Sequence, residues 1–306
     1  MLVVKSLFSF AMAYAHGVVH ELQQTEHDIK ARDLIVRHLG SMPLVRVNGS
    51  DLRDAGVIPE LVRRLQLAKD FTDHLTSLDD SERAREVFET AIVACAALRD
   101  MGCGSSASRV ETRTSGGLHL IVWFVGRVHG RRWNKLSHLD LRGLTVAVGA
   151  IRNVGHSTRE NSDEFHRLGV TKLLSWRLLC HWSTDESTDN EACEMKTITK
   201  SCCLPPAGSS YREAAFRSAG ALINVAEKSD DCVKVCGSDR ALIDILVESW
   251  GGKDKKKALI SPGLHRILKF ATKYDQNFSY LYILEKEEKR RKDAQNLEKI
   301  RSNVIV

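Results

Sequence analysis

The chain has 306 residues, 43% hydrophobic and 27% charged, and only five prolines. Long stretches without Pro or Gly favour helices, and an aromatic fraction of 6% leaves the core to Leu, Ile, Val and Ala. The net charge of +6, over 45 basic and 39 acidic side chains, marks no dedicated basic face and gives no prompt towards nucleic acid.

Residues 1–15, MLVVKSLFSFAMAYA, carry one Lys, no acid and an Ala13-Tyr14-Ala15 ending. Two readings stay open: a signal-like segment, or part of a helical cap over residues 1–40 that buries its apolar side. The segment falls short of the ~20 apolar residues a membrane span needs, and no other stretch comes closer.

A short helix is predicted over 51–55, followed by Gly56-Val57-Ile58-Pro59-Glu60-Leu61-Val62-Arg63-Arg64-Leu65. The glycine permits a tight turn, the proline suits a first helical turn, and Leu61, Val62 and Leu65 share a face. An inserted loop is expected near 68–80. A long helix over 81–101 follows, with Ser81 to cap it and Val87, Ala91, Ala94, Cys95 and Leu98 as its apolar stripe.

The pattern then recurs. Gly116-Gly117 precedes an apolar run from Leu118 to Trp123, and a helix over 139–154 buries Leu144, Val148 and Ile151. Next, Glu160, Phe165 and Leu168 lead to Gly169, then to Val170, Leu173, Leu174 and Leu178, with a closing helix over 211–226. A fourth copy has Val233 and Val235, then Leu242, Ile245 and Leu246, and a last helix over 258–272. Stretches beginning near Gly56, Gly116, Gly169 and Gly237 thus read as copies of one helical module. Nine consecutive charged residues of mixed sign, 285–293, are expected to open a solvated helix over 285–306.

Two closing segments overlay directly: Ala150-Ile151-Arg152-Asn153-Val154 on Ala221-Leu222-Ile223-Asn224-Val225, with Leu98-Arg99-Asp100-Met101 in the same place earlier. Asp100 and Asn153 are 53 residues apart, and Asn153 and Asn224 are 71 apart. Regular helical repeats of this kind take ~40–47 residues, so both intervals carry insertions. The larger is 183–210, rich in Ser, Thr, Asp, Glu and Cys and containing Pro205-Pro206, a long surface loop.

The Gly56 to Leu65 stretch and the segments holding Asn153 and Asn224 resemble the armadillo repeat family. Asn161, eight residues after Asn153, falls where such repeats restart. The resemblance covers about residues 34–284. It implies an all-α, right-handed superhelical α-solenoid of three-helix repeats, with the array proper over 41–284. In such proteins the third helices line a concave groove, where an Asn near their end bonds the backbone of an extended bound peptide. By position the partner-binding residues are then Asn153 and Asn224, with the adjoining Arg152, Arg99 and Asp100.

An Asn amide offers both donor and acceptor, whereas Asp100 can only accept. A helix-end amide that satisfies carbonyls within the repeat stays open as the alternative for both asparagines. Import adaptors of the family carry a Trp one turn before the groove Asn. Here those positions are Ala96, Gly149 and Gly220, so import signals are not expected to bind in that manner.

Other constellations are weak. His16, His20 and His27 lie near the N-terminus without an H-E-x-x-H motif. Cys180-His181, Cys193 and Cys202-Cys203 surround the long loop with no standard zinc spacing. Cys232 and Cys236 suit one face of a short helix. No phosphate-binding or nucleophile-elbow motif occurs, and no metal or cofactor is expected. The eight cysteines form no CxxC pair and read as reduced, which points to the cytoplasm. The basic runs 253–257 and 289–292 keep the nucleus open. The expected function is a protein-interaction scaffold or adaptor, not an enzyme. The alternative is a helical enzyme or regulatory subunit using the Cys/His-bearing loop.

Overall fold

The computed structural model describes Gly17 and residues 49–73, 82–128, 136–179, 210–251 and 261–273. Every regular element among them is helical. No helix among the described residues is long and apolar enough to cross a membrane.

The first unit is α1 (Gly49–Asp54), α2 (Val57–Asp73) and α3 (Glu82–Gly104). The second is α4 (Ser106–Thr114), α5 (Gly117–Gly126) and α6 (His138–Gly155). The third is α7 (Arg159–Arg167), α8 (Val170–Leu179) and α9 (Ser210–Ala226). The fourth is α10 (Asp230–Gly237), α11 (Arg240–Gly251) and α12 (Pro262–Ala271).

Local chemistry punctuates these helices. Gly56, Gly116 and Gly169 take φ values of 80°, 79° and 86°, a left-handed conformation that costs a residue with a Cβ far more. Each sits two residues past the end of a first helix and donates its N–H to the carbonyl three residues back: Arg53 at 2.8 Å, Arg113 at 2.9 Å and His166 at 2.9 Å. The chain therefore reverses at once into the second helix. Ser105 caps α4 through the Ser108 N–H, and Ser137 and Asp140 form a reciprocal capping box at α6.

The fourth unit corrects the expectation for Gly237, which lies inside α10 and has no left-handed turn. Asp239 stands where the other units have their glycine, and its Oδ1 accepts the Leu242 N–H at 3.0 Å to start α11. Gly237 instead serves a close approach, since a Cβ there would stand 2.7 Å from Phe270 Cδ1. Part of the loop expected near 68–80 is helical instead. Residues up to Asp73 continue α2, because Ala68 and Thr72 are buried and the Thr72 hydroxyl donates to the Lys69 carbonyl.

Each helix class stacks on its own kind. First helices α1, α4, α7 and α10 touch in succession, as do second helices α2, α5, α8 and α11 and third helices α3, α6, α9 and α12. One apolar core runs through all four units, from Ile58, Leu61 and Leu65 through Val148 and Ile151 to Leu222, Val225, Ile267 and Leu268. Burying such a side chain contributes about 1.5–3 kcal/mol, so the stack is held by its length rather than by one centre. This is an α-solenoid. The third helices approach closely: a Cβ on Gly263 of α12 would run into the Ile223 carbonyl of α9.

Charged and thiol groups also enter the core. The buried Arg177 of α8 donates to the Val128 carbonyl just past α5. Cys95 and the pair Cys232 and Cys236 are buried free thiols, and the pair's Sγ atoms lie 3.9 Å apart on one face of α10. Burial pushes the Cys95 thiol from 9.0 up to about 12. The long loop at 183–209, the end segments 1–16, 18–40 and 285–306, and both basic runs lie outside the described residues.

Gly169→Ala should lower stability by about 1–2 kcal/mol, read as a fall in urea midpoint. Gly126→Ala, at an open site with nothing near its added methyl, should leave the midpoint unchanged or raise it. The raised Cys95 value favours the neutral thiol in the fold, so its stabilisation is complete below pH 9.0 and is lost as pH climbs towards about 12. Cys95→Ala should flatten that part of the stability profile.

Candidate functional site

The third helices share one register at their C-terminal ends. Asn153 of α6 donates from Nδ2 to the Arg99 carbonyl of α3 at 3.0 Å. Asn224 of α9 donates from Nδ2 to the Arg152 carbonyl of α6 at 3.0 Å. Each amide thus reaches the residue just before its counterpart in the preceding unit, although the pairs are separated by 54 and 72 residues. A carbonyl has two lone pairs, so it accepts this bond besides any helical one. Both asparagines are half-buried. Each keeps its second N–H and its Oδ1 without a partner among the described residues.

Two residues further on, the helix-end carbonyls are closed by other side chains. Arg109 Nη1 donates to Gly102 O at 3.2 Å, Ser162 Oγ to Gly155 O at 3.0 Å, and Arg266 Nη1 to Ala226 O at 2.8 Å. The same orphan carbonyl is therefore satisfied in three units by three different donors. Asn161 belongs with this framework rather than with the surface. It is fully buried and donates to the Arg109 and Val154 carbonyls at 3.0 and 2.9 Å, tying α7 to α4 and α6.

Asp100 behaves as a carboxylate must. It accepts two bonds from Arg99, at 2.8 and 2.9 Å, and this pairing is the main reason the Arg99 guanidinium is held more firmly charged. Arg99 then reaches across α6 at Gly149. A Cβ on Gly149 would stand 2.9 Å from Arg99 Cδ and 3.2 Å from Arg217 Nη1 of α9. Two arginines from the flanking third helices thus cover a bare backbone at Gly149. Burial, and then the Arg217 charge, push the half-buried Arg152 guanidinium below its ordinary value. Arg217 is itself held by Glu213, one turn back on α9, at 2.7 Å.

The structure therefore brings Arg99, Asp100, Arg152, Asn153 and Asn224 onto one face of α3, α6 and α9. Sequence reasoning missed Arg217. Its signal was available two helical turns before Asn224, on the same side of α9. Phe216 beside it is an exposed aromatic. Among the described residues no group of three or more His, Cys, Asp or Glu side chains is placed to hold a metal. The Cys/His-bearing loop around 180–203 lies outside the described residues.

No protein-family model and no curated protein matches the chain. Among solved structures it is similar to an engineered protein, at 18% identity and TM-score 0.49, covering 90% of this chain and 94% of that one. A second engineered protein gives 17% identity and TM-score 0.48 over 84% of this chain, which spans 47% of that longer one. A designed armadillo repeat protein in complex with the peptide (KR)4 gives 15% identity and TM-score 0.47, over 88% of this chain and 96% of that one. The stacking of first on first, second on second and third on third helix is what makes the chain an α-solenoid of three-helix units.

Asn153→Ala and Asn224→Ala should each cost about 1 kcal/mol, the net worth of one hydrogen bond. Asn161→Ala should cost more, about 2–4 kcal/mol, because two buried carbonyls lose their donor. Urea unfolding of the three variants measures both values.

Proposed function

We propose that the chain is a protein-interaction scaffold that takes an extended segment of a partner along the face of α3, α6 and α9. The observation that carries this is the pair Asn153 and Asn224. Each is fixed by one bond to the preceding helix, and each retains an acceptor and a donor on a half-buried face. An amide so held recognises a peptide unit irrespective of side chains, and its orientation is set before the partner arrives. Packed helices lie about 8–10 Å apart, roughly three residues of extended chain, so successive asparagines suit one strand crossing successive units. Arg152, Arg99 and Asp100 border the same path and complete the proposed contact surface.

In this reading the array extends over 41–284, flanked by a cap at 1–40 and a charged helix at 285–306, and binding rather than catalysis is the activity. The free thiols at 95, 103, 232 and 236 support a reducing compartment, the cytoplasm or nucleus.

A library of randomised ten-residue peptides, selected on the purified full chain, tests the proposal. Recovered peptides should bind the Asn153→Ala, Asn224→Ala double variant at least tenfold more weakly, while circular dichroism shows its helices retained. Equal affinity removes both residues from the site, and a selection that recovers no peptide defeats the scaffold itself.

A further inference from the structure

We propose that Cys232 and Cys236 of α10 form a two-coordinate site for a soft monovalent cation, Cu(I) or its analogue Ag(I), with the Ser175 hydroxyl facing the bound sulfur. This site is separate from the face of α3, α6 and α9 and does not rest on the scaffold reading. The two thiols stand one helical turn apart, both fully buried, with their Sγ atoms 3.9 Å from each other. Neither is in a disulfide. A linear sulfur–metal–sulfur unit spans about 4–5 Å, twice a metal–sulfur bond. A small rotation of either side chain admits the ion.

The donor set favours this class of ion. Structural Zn(II) takes four ligands and Ca(II) or Mg(II) takes six or more, mostly oxygen. Among the described residues no third His, Cys, Asp or Glu is placed with these two thiols to hold a metal. Soft sulfur donors select Cu(I).

Ser175 of α8 is a second and independent mark. It is 8% exposed, and its buried Oγ has no hydrogen-bond partner among the described residues. The hydroxyl lies against Cys236, where it favours the ionised sulfur. A metal-bound thiolate gives it the acceptor that it lacks. The neighbouring Cys232 thiol, and then burial, push the Cys236 thiol well above its ordinary range, so the pair stays neutral until a cation displaces its protons.

Binding breaks two S–H bonds and forms two sulfur–metal bonds. Two protons leave to solvent, no electron is transferred, and the site gains one negative charge. Cys232 is the third residue of α10, where the helix N-terminus favours an anion. Asp230 and Asp231 of that turn are exposed and held by Arg266 and Lys234.

The test uses the full chain with Cys103, Cys180, Cys193, Cys202 and Cys203 replaced by Ser, which keeps the pair and Cys95 as its thiols. Titrated without oxygen, it should retain one equivalent of Ag(I), or of Cu(I) against a chromophoric competitor. X-ray absorption of the Cu(I) form should show two sulfur ligands. Cys232→Ala and Cys236→Ala should each bind at least about a hundredfold more weakly, while Cys95→Ala binds as before. Ser175→Ala should keep the stoichiometry and bind about tenfold more weakly. Should a cysteine variant fail to fold by circular dichroism, the thermal midpoint of the chain that keeps the pair decides, and one equivalent of Ag(I) should raise it. No retained ion, an unchanged midpoint, a copper site without two sulfurs, or full affinity in a folded cysteine variant overturns the site. Full affinity in Ser175→Ala overturns the part given to the hydroxyl.

Discussion

In a stack of helical units no residue touches a common centre, so the fold depends on how each third helix is seated on the one before it. Apolar packing supplies most of the free energy, but packing alone leaves one helix free to slide against another by a turn. The bonds from Asn153 to the Arg99 carbonyl and from Asn224 to the Arg152 carbonyl remove that freedom. A shift by one residue would break both the amide bond and the cap two residues further on. Register is thus set by polar atoms at one end of helices whose stability comes from apolar atoms along their length.

The same seating gives the third helices an ordered face. Because α6 and α9 are seated alike on their predecessors, residues at equivalent positions of α3, α6 and α9 form rows across the stack. Asp100, Asn153 and Asn224 make one such row; Ala96, Gly149 and Gly220 make another, one turn away. The rows differ in chemistry from unit to unit, and the difference carries information. An aromatic row would form slots for aliphatic stems of basic side chains. A row of small residues instead lets long side chains from neighbouring units fold over it, as Arg99 and Arg217 do at Gly149. The small residue of this row therefore leaves room for guanidiniums over the backbone of α6.

Much of this was legible in the amino-acid sequence because the repeated positions obey strict local rules. A glycine two residues past a short helix is required by φ near +80°, and the three that meet this rule, at 56, 116 and 169, read correctly. The fourth glycine, Gly237, misled because glycine has two uses, and composition does not separate a left-handed turn from a close approach. Asp239, the residue that starts α11, looked like any polar loop residue. The helix stripes were plain from periodicity, including Cys95 and the Cys232–Cys236 face. The inter-unit partners were not. That Asn153 reaches back to the preceding unit, that Asn161 is a buried brace and that Arg177 is a core residue all depend on distances spanning tens of residues, on which no local pattern bears.

The two levels of the site differ in how tightly stability and recognition are coupled. An asparagine that both locks register and presents an amide cannot be altered for one role without touching the other. The arginines are less constrained, since Arg217 is held by Glu213 on its own helix and Arg99 by the adjacent Asp100. Substituting them changes the charge offered to a partner while leaving the inter-helix amide bonds intact. Gly149 is the position where the two layers meet: its backbone belongs to the helix that Asn153 anchors, and its empty side-chain position is what the arginines occupy.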